Sequence, residues 1–163
     1  MKTQEKLNMT MLCDFYELTM ASAYAAEGMN DKAVFEAFFR SLPPGRNFML
    51  AAGLEDCLAW LETLRFTPAD LDYLRSLDLF PAAFLDRLRG LRFTGEVWAV
   101  PEGSVVFPGE PLIQIVAPIL EAQFVETFLL NQIGSSFISG RNFGVVEAQR
   151  QFVENNPLAF MMG

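Results

Sequence analysis

The chain has 163 residues, of which 52% are apolar and 13% aromatic, enough to bury one core without disulfide staples. Its formal charge of −8, from 12 Lys and Arg against 20 Asp and Glu, sets a field against nucleic-acid backbones and anionic membranes. It has no histidine, which removes the usual zinc ligand and the Ser/His and Cys/His nucleophile pairs.

The two cysteines, Cys13 and Cys57, stand far apart among apolar neighbours and read as small buried hydrophobes of a reduced chain. The opening MKTQEKLNMTMLCD lacks the apolar centre of a secretory signal, and no run reaches the ~18 apolar residues of a membrane span. A cytoplasmic location is therefore expected, with neither a membrane nor a nucleic acid as partner.

In chain order, Asp14 is placed to cap a helix, with Glu17 three residues on as in a capping box and Gly28 as the stop. Tyr16, Met20 and Tyr24 then share one face at four-residue spacing. AVFEAFFR over 33–40 reads as a strand, closed by the turn-forming LPPGRNF. Leu54, Cys57, Leu58, Leu61 and Leu64 recur at the helical period, Thr67 with Pro68 and Asp70 starts a second helix, and Pro81 opens a third that ends at Gly90.

After Gly95 short Val, Ile and Trp runs alternate with Pro-Glu-Gly and Pro-Gly-Glu-Pro, the punctuation of tight turns between antiparallel strands. Beyond Pro118 a very apolar helix carries Leu120, Phe124 and Phe128 on one stripe and Val125, Leu129 and Ile133 on another. Such a helix should be almost wholly buried. The order of elements is that of an α+β fold, without the regular alternation of a doubly wound sheet.

Chemistry-bearing motifs are sparse. No glycine-rich phosphate loop is present, Arg46 in PPGRNF is an arginine of a surface turn that could meet an anion, and Glu102 and Glu110 read as turn carboxylates. Tyr16 falls in the first turn of the first helix, where free N–H groups favour an anion and a phenol ring could stack on a flat ligand. Periodicity alone reads it, with Met20 and Tyr24, as part of a packed face.

Three segments carry a resemblance. DFYELTMASAYAAEGM, AVFEAFFRSLPPGRNFMLAAGLEDCLAWLETLRFT and LDRLRGLRFTGEVWAVPEGSVVFPGEPLIQIVAPILEAQFVETFLLNQI, in that order, resemble the N-terminal part of nicotinate phosphoribosyltransferases over about residues 11–133. The resemblance implies an enzyme of NAD salvage that joins nicotinate to phosphoribosyl pyrophosphate with ATP hydrolysis. It implies the N-terminal helical and antiparallel β domain of a type II phosphoribosyltransferase, which in the family packs on an α/β barrel. It also implies a homodimer in which the tyrosine of a D-x-Y motif reaches a neighbouring subunit to stack on nicotinate. That tyrosine matches Tyr16, with Phe15 in place of the usual Leu.

The departures shape the expectation. Residues 134–163 read as a divergent segment after a domain of residues 1–133, and Arg141, near the family's basic substrate contacts, takes no role because its neighbours do not align. The histidine of the ATP-coupled step and the barrel's phosphate loops are absent, and no site for ATP or Mg2+ is found. Tyr16 is then the one substrate-binding candidate, with no catalytic or metal-ligating residue assigned. The expectation is a truncated N-terminal part inactive alone, the alternatives being a non-catalytic dimerising module or a related enzyme acting on nicotinamide or quinolinate.

Overall fold

A computed structural model describes residues 9–136 and 138–139. In chain order the elements are α1 (Phe15–Ala26), β1 (Lys32–Ala37), β2 (Met49–Leu50), α2 (Leu54–Thr63), α3 (Pro68–Ser76), α4 (Ala82–Arg89), β3 (Glu96–Ala99), β4 (Val105–Val106), β5 (Ile113–Pro118), α5 (Ile119–Phe124), α6 (Glu126–Ser136) and β6 (Ile138–Ser139). The α+β arrangement read from the sequence is the one found.

Local signals account for most boundaries. Asp14 and Glu17 form the expected capping box, and Gly28 beyond the helix takes φ +68°. Thr67 and Asp70 form the second, with the Thr67 N–H donating to Asp70 Oδ2 at 2.7 Å and Pro68 in the first turn. Helix α2 has no side-chain cap of its own. Glu102, far along the chain, accepts from the Gly53 and Glu55 N–H groups at 2.9 and 3.2 Å, so the turn carboxylate is the missing cap.

Strand β5 lies between β1 and β3 in an antiparallel sheet, with Val34 and Glu96 both opposite Val116. Alternation sends Ile113, Ile115 and Ala117 into the core beside half-buried Phe35 and Ala37, and α5 packs on the sheet with α1 against α5. Trp60 stacks on Phe128 at 3.9 Å and joins α2 to α6, while Phe66 meets Phe124 at 4.9 Å. Glu121, nearly buried at the foot of α5, accepts the Thr94 N–H at 2.7 Å and its hydroxyl at 3.0 Å, and so anchors the entry to β3.

Two expectations need correction. The stretch after Gly95 does not fold as consecutive strands joined by tight turns. Strands β3 and β5 pair, but the residues between them leave the sheet, and β4 joins β2 and β6 in a second antiparallel sheet of order β4-β2-β6. The three prolines of this stretch, Pro101, Pro108 and Pro111, cannot donate to a continuous ladder, and Gly103 and Gly109 turn the chain at φ +79° and +82°. The Gly103 N–H instead reaches the Ala51 carbonyl at 2.8 Å.

The single apolar helix expected after Pro118 is divided at Val125 into α5 and α6. Its burial is as expected: Leu120, Phe124, Val125, Phe128, Leu129 and Ile133 are all buried, and Leu130 is exposed. The apolar surface of this helix is thus covered mainly by its own chain. Of the expected divergent segment 134–163, only the end of α6 and β6 fall within the described residues. No helix among the described residues is long and apolar enough to cross a membrane.

Gly95 shows how closely β3 approaches β5. A Cβ there would lie 2.5 Å from the Ala117 Cβ and 2.7 Å from the Val116 carbonyl oxygen. Gly95→Ala is expected to lower unfolding free energy by about 1–3 kcal/mol in urea titrations. An unchanged midpoint with an unchanged slope would count against this tight contact.

Candidate functional site

The site is built where the first turn of α1 meets the first turn of α6. Glu17 is fully buried there and uses both carboxylate oxygens. Its Oε2 accepts the Asp14 N–H at 3.2 Å and completes the capping box of α1. Its Oε1 accepts both the N–H and the hydroxyl of Thr127, at 2.8 and 2.7 Å.

Helix continuity would direct the Thr127 N–H to the carbonyl four residues back. Diverted to Glu17, it opens the ladder beside Val125, which is where the apolar helix divides. One carboxylate therefore caps two helices and fixes their register.

That register brings Tyr16 and Glu126, the neighbours of Glu17 and Thr127, near one another. The Tyr16 phenol is pushed above its ordinary range by partial burial and by the nearby Glu126 carboxylate. Glu126 is held in turn by Gln123, whose Nε2 donates to Glu126 Oε2 at 2.8 Å. Gln123 is 4% exposed, and its Oε1 accepts the Tyr24 hydroxyl at 3.4 Å. The buried amide thereby links Tyr24 to Glu126.

The packed-face reading of the stripe is corrected by these positions. Leu18 and Ala21 form the buried arc of α1 together with Glu17, whereas Tyr16 is 44% exposed and Met20 39%. At about 100° per residue, Tyr16 and Met20 turn away from the arc defined by Leu18 and Ala21, and only Tyr24 lies near its edge. Tyr16 is open to solvent.

Glu102 and Glu110 resolve as structural. Glu110 Oε2 accepts the Phe107 N–H at 2.9 Å within its own turn, and Glu102 caps α2 as described. Arg46 is half-buried in a turn closed by its N–H to the Pro43 carbonyl at 3.2 Å. Cys13 and Cys57 are free thiols, both pushed up to about 12 by burial and nearby carboxylates, which suppresses the thiolate. Arg141 lies outside the described residues. Sequence reasoning passed over Gln123, Glu126 and Thr127, although polar side chains in a nearly buried helix must find partners and were a usable signal.

Comparison with known proteins adds identity to this geometry. The sequence profile described as the nicotinate phosphoribosyltransferase (NAPRTase) N-terminal domain matches residues 11–134. The chain belongs to the nicotinate phosphoribosyltransferase family. It is 55% identical over 141 residues to the nicotinate phosphoribosyltransferase pncB2 of Mycobacterium tuberculosis, covering 86% of this chain and 30% of that one. The human nicotinate phosphoribosyltransferase is 46% identical over 125 residues, covering 74% and 23%.

The crystal structure of the human nicotinic acid phosphoribosyltransferase superposes with a TM-score of 0.68 at 44% identity, over 76% of this chain and 25% of that one. The chain thus spans less than a third of the length of these family members. Nicotinate phosphoribosyltransferase from Vibrio cholerae shares the fold at 18% identity and a TM-score of 0.53.

Burial drives the Glu17 carboxyl up from 4.5 to about 7, the Glu126 charge adds to the rise, and the bonds from Thr127 and Asp14 only partly oppose it. Between those values the native state holds a proton that the unfolded chain has lost, so this group's contribution to stability declines as pH rises. We expect a loss of up to about 3 kcal/mol from pH 4.5 to above pH 7. Urea unfolding across that range should show this slope in the unaltered chain and a flatter one in Glu17→Gln. Parallel profiles for the two proteins would remove Glu17 as the source.

Proposed function

We propose that this chain supplies the N-terminal part of a nicotinate phosphoribosyltransferase, with Tyr16 as an aromatic platform for nicotinate in a site completed by a second subunit of a homodimer. The observation that carries the reading is the exposure of Tyr16 on the first turn of α1. An aromatic side chain open to solvent there offers a face on which a flat ligand can stack.

The reaction joins the ring nitrogen of nicotinate to C1′ of phosphoribosyl pyrophosphate and expels pyrophosphate. Charge develops on the ribose and on the leaving phosphates, which calls for positioned cationic donors or Mg2+. No three His, Cys, Asp or Glu side chains among the described residues converge as metal ligands do. Those groups belong to polypeptide corresponding to the remainder of the relatives, and the 163 residues alone are inactive. A cytoplasmic location accords with this metabolic role.

A non-catalytic dimerising module is the second reading, favoured by the exposed apolar side chains Leu12, Phe15 and Met20 around Tyr16. A chimaera separates the two. Residues 11–134 replace the matching part of the Mycobacterium tuberculosis relative, and nicotinate mononucleotide formation is followed. Tyr16→Ala should lower kcat/KM for nicotinate about tenfold or more, the scale of a lost stacking contact. Unchanged kinetics with a dissociated dimer would instead support the module. The unmodified 163-residue chain should release no pyrophosphate above a no-protein control.

A further inference from the structure

Strand β1 is an edge of its sheet, and among the described residues its one strand neighbour is β5. The hydrogen bonds at its two ends fix which backbone groups stay open. The Leu112 N–H donates to the Ala37 carbonyl at 2.8 Å and the Ile119 N–H to the Asp31 carbonyl at 2.9 Å, so residues 31 and 37 turn their polar groups toward β5. Direction alternates along a strand, so Ala33 and Phe35 do the same, and the N–H and C=O groups of Lys32, Val34 and Glu36 point outward from the sheet. Among the described residues no turn or loop backbone takes up those outward groups.

The side chains of the same three residues are exposed, Val34 at 57%, and no proline interrupts the strand. Natural edges are commonly guarded by charge. Here the two charges have opposite sign and stand symmetrically, two residues on either side of Val34. If a second β1 lies antiparallel with Val34 against Val34, the outward groups meet in three mutually bonded pairs, with Lys32 opposite Glu36 at both ends. A shift of one residue sets outward groups against inward ones, and a shift of two sets a charged side chain opposite Val34.

The charges are available for this pairing. Lys32 reaches Glu96 within its own chain at 3.5 Å, but both side chains are exposed, a weak tie that leaves the ammonium free to turn. Gln114 Nε2 donates to Glu36 Oε1 at 2.6 Å, which steadies the carboxylate and leaves its second oxygen for a lysine. The opposite edge of the sheet, β3, is only four residues long.

We propose that β1 is a docking edge for a second copy of this chain, joined antiparallel about Val34 into a six-stranded sheet with twofold symmetry. Each copy uses the same edge, so the contact closes on itself and gives a dimer. The inference goes beyond the reading of Tyr16 and does not depend on it.

Sedimentation equilibrium of the complete 163-residue chain should show a concentration-dependent dimer. Lys32→Glu and Glu36→Lys each set like charges opposite one another twice, and each alone should raise Kd about fivefold or more. An equimolar mixture of the two variants recovers opposite charges at both ends and should return Kd to within about twofold of the unaltered value. Val34→Pro removes the central outward N–H, spares the ladder to β5, and serves if either reversal fails to fold, with the same rise in Kd expected. The Val34 amide proton should become protected from exchange as concentration rises.

A chain that stays monomeric at millimolar concentration overturns the proposal. So does a dimer whose Kd ignores the reversals, since it would use another face. A Val34 amide protected equally at every concentration would mean that the chain's own polypeptide takes the edge, and overturns it as well. None of these readouts involves nicotinate, so failure of the Tyr16 platform leaves them unmoved.

Discussion

Glu17 is bonded at both carboxylate oxygens, to Asp14 on one side and to the N–H and hydroxyl of Thr127 on the other, and the seam between α1 and α6 is laid out from that junction. A buried carboxylate is tolerable only when its hydrogen-bonding capacity is filled, and here the partners are free donors at two helix starts. The same bonds that satisfy it interrupt the apolar helix at Val125. Tyr16 and Glu126 then come near one another because each precedes a member of the clamp by one residue. Placement of the exposed ring is thus a consequence of how an internal charge is satisfied.

The charge balance fits a division of labour. A chain with 20 carboxylates and 12 cationic side chains is poorly suited to gather pyrophosphate, and the described residues hold no converging metal ligands. What it offers is aromatic and apolar surface on the α1 and sheet framework.

Much of this was legible in the residues. The capping boxes at Asp14 and Thr67, the helix that Pro81 opens and the buried character of 120–133 follow from local chemistry and periodicity that tertiary contacts reinforced. The division at Val125 was not, because it depends on a side chain more than a hundred residues earlier in the chain. Glu102 as the cap of α2 was hidden for the same reason, since its partners Gly53 and Glu55 are remote in sequence. For Tyr16, spacing indicated the correct stripe but not its orientation: Tyr16, Met20 and Tyr24 are collinear on the helix, and which arc faces inward is decided by Leu18 and Ala21.

The second sheet has a kinetic consequence. Its strands are two residues each and come from three distant stretches, so every pairing closes a long loop for very few ladder bonds. Such contacts gain few ladder bonds for each loop they close and lean on the surrounding aromatic core. A nascent polypeptide must carry Met49 and Leu50 with one edge unzipped until residues 138 and 139 have left the ribosome.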